Sequence, residues 1–101
     1  MTITPGKTIA DGASLPYIGG MVDFSLIKSY TDEILETTDE RLVEGMKFFA
    51  QTMKIIVEPT GCLGYAGMRQ CGYDFKGKKI GVIISGGNVD LSKFAKLVGD
   101  I

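Results

Sequence analysis

The chain has no histidine, only two cysteines, no run of one charge sign and no long apolar stretch in its 101 residues. The missing histidine removes the commonest general base and zinc ligand. Any catalysis must therefore use carboxylate, lysine, tyrosine, serine or a cofactor. Cys62 and Cys71 stand nine positions apart and are too few for the disulfide framework of a small secreted domain. With no histidine to act as a base beside them, both read as reduced, inert thiols. Eleven basic and twelve acidic residues leave a net charge of −1, and no aromatics interleave with Arg or Lys. That balance excludes nucleic acid as the expected partner. Nothing approaches a membrane span, and Met1–Gly6 lacks the charged and apolar regions of a signal peptide, so a cytoplasmic protein is expected. Neither GxGxxG nor GxxxxGK[ST] occurs, which leaves a nucleotide-binding fold unsupported.

What is present is a 45% hydrophobic chain the size of one small domain. Residues 1–20 are rich in Gly, Pro, Ser and Thr and read mostly as loop, with a short ordered stretch near Thr8-Ile9-Ala10. Asp23–Tyr30 suits a short helix with Phe24, Ile27 and Tyr30 on one face, and Glu33–Thr37 suits a peripheral strand. Thr37-Thr38-Asp39-Glu40 is a capping-box pattern in which a hydroxyl accepts from the third helical amide while Glu40 reaches back. Leu42, Met46, Phe49, Ala50 and Met53 follow at spacings of three and four, so one amphipathic helix is predicted through about Met53. Lys54–Glu58 is a β-branched run closed by Pro59, and Leu63–Met68 suits a closely packed helix. Lys78–Ser85 is apolar without alternation and predicts a strand buried on both faces. Leu91, Phe94, Ala95 and Val98 then place a last amphipathic helix over Asp90–Val98. The expected class is α/β, with helices packed on a sheet. Two or three strands cannot give Ile80–Ile84 neighbours on both edges and cover on both faces, so the sheet looks incomplete and the chain a single partial domain.

Two turns could carry chemistry. Ligands collect outside the carboxyl ends of strands in open α/β sheets, and Ser85-Gly86-Gly87-Asn88 sits at such an end. Its glycines permit positive φ and close approach of a flat or anionic ligand, while Ser85 and Asn88 offer a hydroxyl and an amide. A tight turn with Asn88 or Asp90 as helix cap explains the same residues without function. Glu58-Pro59-Thr60-Gly61 likewise follows a strand and sets a carboxylate beside a glycine turn, or is a plain surface or capping carboxylate.

Thr8-Ile9-Ala10-Asp11-Gly12, Lys54–Gly61 and Gly81–Asp90 contain three motifs whose order resembles the last part of fold-type II pyridoxal-phosphate enzymes, as in threonine/serine dehydratases, serine racemase and threo-3-hydroxyaspartate ammonia-lyase. The resemblance covers essentially the whole chain. It implies the C-terminal portion of the large domain of the tryptophan synthase β-like fold. It also implies pyridoxal 5'-phosphate as cofactor and a dehydratase (ammonia-lyase) acting on L-threonine, L-serine or 3-hydroxyaspartate. A racemase of the same fold is the alternative, and nothing in these residues separates the two.

By the same resemblance, Ser85 hydrogen-bonds the pyridine nitrogen, with Gly86 beside it. Glu58 lies near the cofactor ring, and Asp11-Gly12 approaches the phenolic oxygen side. Lys54 and Asn88 match positions that help bind a nucleotide effector at a subunit interface in animal serine racemases, against the plainer reading of Lys54 as a solvated charge. The family's Schiff-base lysine, in a motif like SFKxRG, and its Gly-rich phosphate loop do not occur here, and no catalytic residue is expected within this chain. A divalent cation, where members bind one, belongs to carboxylates outside it. The expected partners are a hydroxy-amino-acid substrate and either the lysine-bearing N-terminal portion or a homologous chain, forming a homo-oligomer when complete. A non-catalytic fragment or interaction module, using the unfinished sheet edge, remains open beside the enzyme.

Overall fold

The computed structural model describes residues 7–13 and 21–99, so most of the expected loop, residues 1–6 and 14–20, lies outside the described residues. Four α-helices follow in order: α1 (Met21–Tyr30), α2 (Asp39–Phe48), α3 (Leu63–Gln70) and α4 (Leu91–Val98). A short 3-10 turn at Asp11–Ala13 precedes them, another at Thr60–Cys62 leads into α3, and a π-helical turn at Phe49–Met53 extends α2. No helix among the described residues is long and apolar enough to cross a membrane.

Helix α2 begins where the capping signal places it, but the cap is Thr38, whose Oγ1 accepts from the Arg41 amide at 3.4 Å. Glu40 is then the second helical residue, one position short of reaching back in a capping box. Thr37 turns away, its hydroxyl donating to Gln70 Oε1 at 2.9 Å. Leu42, Met46 and Phe49 are buried as their spacing predicts. Met53 is 52% exposed, because the wider π turn rotates the residues after Phe49 off the stripe.

The core joins that stripe to Ala10, Val57, Cys62, Ala66 and Val98. Phe48 and Tyr65 stack with ring centroids 4.9 Å apart, and Phe49 meets Tyr65 at 5.2 Å, which locks α2 to α3. Burial pushes the Cys62 thiol up to about 11, so it is a neutral packing group at ordinary pH. Cys71 is half-buried and free, its thiol pointing to the Met68 carbonyl.

Four expectations require correction. Helix α1 forms, but Ile27 and Tyr30 are exposed and seat no shared face on the core; the side chain of Phe24 lies outside the described residues. Glu33–Thr37 is not a strand. Lys54–Glu58 and Lys78–Ser85 are extended without forming a regular sheet, and no strand occurs among the described residues. The run expected to be buried on both faces leaves Ile83 87% exposed and Ile80 45% exposed. The physical reason is that an extended segment becomes a strand only when neighbours take up its amides and carbonyls, and the backbone bond found here, from the Glu58 amide to the Gly86 carbonyl, joins the end of the first run to the residue just past the second.

Candidate functional site

The segment Thr8–Ala13 is held from two sides. Thr8 Oγ1 donates to Asp39 Oδ1 at 2.5 Å and the Ile9 amide donates to Asp39 Oδ2 at 3.2 Å. Asp39 is the first residue of α2, where the helix amides favour a carboxylate. On the other side the Gly12 amide donates to Thr60 Oγ1 at 3.1 Å, and Lys93 Nζ donates to Asp11 Oδ2 at 2.7 Å.

The two glycine turns meet beside this segment. The Glu58 amide donates to the Gly86 carbonyl at 3.2 Å. A Cβ on Gly61 would lie 2.6 Å from the Gly86 carbonyl oxygen, a backbone atom with little room to yield. A Cβ on Gly86 would lie 2.7 Å from Glu58 Oε1, so the carboxylate rests directly over the bare α-carbon. Positive φ is not what the Gly86-Gly87 pair uses; among the described residues the positive-φ glycines are Gly72 and Gly77. Close approach is the property that selects glycine here.

Around these contacts lies a cleft of about 240 Å³, lined on its polar side by Asp11, Glu58, Thr60, Asn88, Asp90 and Lys93. The cap of α4 is Asp90: its carboxylate accepts from the Ser92 hydroxyl and, at 3.3 Å, from the Lys93 amide. Those two bonds, the Ser92 one foremost, hold its carboxyl below the usual range. Asn88, freed from capping, lines the cleft.

Asp11, Glu58 and Asn88 are thus brought together from three segments, with Gly12 and Gly86 bonded to that cluster. Ser85 is exposed immediately before Gly86 and is not one of the cleft-lining residues. Lys54 stands apart, exposed at the end of the π turn with a left-handed φ of 61°. Thr60 and Lys93 are the residues sequence reasoning missed. Thr60 lay inside a motif already singled out, whereas Lys93 meets its partner 82 positions away, a distance no local pattern spans.

Residues 1–86 match the family described as pyridoxal-phosphate dependent enzymes. The chain is 52% identical over 89 residues to a serine racemase of Schizosaccharomyces pombe, covering 88% of this chain and 27% of that protein. It is 47% identical over 91 residues to an L-threo-3-hydroxyaspartate ammonia-lyase of Pseudomonas sp., covering 90% and 28%. The structure of maize serine racemase superposes with a TM-score of 0.79 at 31% identity, over 99% of this chain and 31% of that one. The chain therefore shares the backbone course of a fold-type II enzyme while spanning less than a third of the length of these relatives.

Proposed function

This chain belongs to the pyridoxal-phosphate dependent enzyme family, and on that premise we propose that it forms the pyridine-side wall of the cofactor site in an ammonia-lyase acting on L-threonine, L-serine or 3-hydroxyaspartate. The observation that carries this reading is the convergence of Asp11, Glu58 and Asn88 on one cleft, with Gly12 bonded to Thr60 and Gly86 packed under the Glu58 carboxylate beside it. The residues fit the group by their donor set: the Glu58 carboxylate, seated on the bare Gly86 α-carbon, and the Asn88 amide border a cleft of about 240 Å³ beside the Asp11 turn, groups able to hold a polar heteroaromatic ring. Bound there, the cofactor would supply the electron sink for breaking the Cα–H bond of an amino acid.

The roles of this chain's residues follow from their chemistry. Ser85 offers the ring nitrogen a neutral hydroxyl, which does not hold it protonated as an aspartate would. A neutral hydroxyl at that position would suit loss of a β-hydroxyl from the substrate. Glu58, half-buried over Gly86, and the Asp11-Gly12 turn flank the ring and orient it. Lys93 is the lysine in the cleft, and it is engaged by Asp11, so proton abstraction is assigned to a lysine outside this chain. The exposed extended runs, with Ile55, Ile56, Ile80, Ile83 and Ile84, are assigned to pairing with further strands of a larger cytoplasmic catalytic unit.

A racemase is the second reading, supported by the 52% identity to the Schizosaccharomyces pombe protein. Both readings are tested by supplying the chain with the family's lysine-bearing portion and pyridoxal phosphate, then assaying the three substrates. Keto acid and ammonia are expected. The enantiomer without keto acid would select the racemase, and bound cofactor with neither product from any substrate would overturn both.

A further inference from the structure

Asp11 and Gly12 lie in a short segment whose single 3-10 turn spans three residues, too short to hold its own geometry. Asp39 holds the start of the segment through Thr8 and Ile9, and the contacts to Asp11 and Gly12 themselves come from farther along the chain: Thr60, 48 positions from Gly12, and Lys93, 82 positions from Asp11. Each contact has a distinct job. The Thr60 hydroxyl takes up the Gly12 amide at 3.1 Å and so fixes the peptide plane at Gly12. Lys93 sits in the first turn of α4, a helix capped by Asp90, and reaches Asp11 Oδ2 at 2.7 Å. The pair is largely exposed, with side chains 44% and 75% accessible, so it adds little to overall stability. It joins the turn to the same cleft that Glu58 and Asn88 line.

We infer that Lys93 and Thr60 are positioning residues that hold the Asp11-Gly12 turn against the cofactor cleft, Lys93 by an ion pair and Thr60 by a hydrogen bond to the backbone. The inference rests on the cofactor-wall reading above. Helix α4 and the Thr60–Cys62 turn thereby act on the cleft through Asp11 and Gly12.

The two contacts differ in salt sensitivity, which separates positioning from general destabilisation. At 1 M salt the screening length falls to about 3 Å, which weakens an exposed ion pair but spares a backbone hydrogen bond. The experiment measures the dissociation constant of pyridoxal phosphate, by its bound absorbance, on the chain complemented with the family's lysine-bearing portion and on the same complex carrying Lys93→Met, Lys93→Arg, Thr60→Val or Thr60→Ser. Lys96→Met, an exposed lysine on the same helix, is the control, and thermal midpoints report folding. Lys93→Met is expected to weaken cofactor binding about two- to fivefold at low salt and not at 1 M, with Arg restoring it. Thr60→Val is expected to weaken binding about fivefold at both salts, with Ser restoring it; it also keeps the test open should Lys93→Met fail to fold. Wild-type affinity in both Lys93→Met and Thr60→Val, or a loss matched by Lys96→Met, overturns the inference while leaving the cofactor wall intact. A wild-type protein that binds no pyridoxal phosphate overturns the cofactor wall itself, and the inference with it.

Discussion

Gly61 and Gly86 face each other across the cleft wall, and the same change at each meets a different obstacle. At Gly61 a methyl group would meet the Gly86 carbonyl, so the backbone of two turns must part. At Gly86 it would meet the end of the Glu58 side chain, which can swing aside. Gly61→Ala is therefore expected to lower stability by about 1–3 kcal/mol, the usual range for overpacking. Gly86→Ala should leave the denaturation midpoint close to wild type while displacing Glu58. Urea unfolding of both variants checks this, and equal losses at the two positions would refute the distinction.

Helix α4 illustrates what an element draws from a single cap. It has only eight residues, below the length at which a helix holds itself in water, so Asp90 and the packing of Phe94, Leu97 and Val98 carry it. Because the folded carboxyl of Asp90 lies below its usual 3.8, its contribution is fully present above that value and is lost as pH falls through the lowered one. Amide shifts of Ser92 and Lys93 should titrate together in that acid window, and Asp90→Asn should abolish the titration. The same shifts persisting in Asp90→Asn would assign them to another group. Helix α2 shows the limits of a local motif: two adjacent threonines both suit a cap, and the contact between Thr37 and Gln70 leaves Thr38 to cap the helix.

As a whole molecule the chain is more open than its length requires. Its accessible surface is 7834 Å², against about 5600 Å² for a compact monomer of this size. Its radius of gyration is 14.8 Å, against about 13 Å. Large apolar side chains stand exposed among the described residues, with Ile83 87% exposed, Ile34 75% and Leu91 73%. The isolated chain is expected to bind a hydrophobic dye and to associate as its concentration rises, with Ile83→Lys reducing both. Sedimentation showing a monomer at every concentration, with no dye binding, would contradict this account of the exposed segments.

The four helices of the described residues and the core stripe Leu42-Met46-Phe49 were legible in the sequence because each rests on spacings and caps within a few residues. Periodicity and capping are local physics. The expected strands do not form among the described residues for the opposite reason: composition marks Lys78–Ser85 as able to form a strand, but hydrogen-bonding neighbours decide whether it does. Ser85, Gly86, Glu58, Asp11 and Gly12 were singled out from motifs alone. Only the tertiary structure set Asp11, Glu58 and Asn88 around one cleft and brought Thr60 and Lys93 to the turn between them. The sequence by itself determined which segments carry polar chemistry; which of those groups meet was decided by folding, since contacts across 48 and 82 positions leave no periodic trace in the chain.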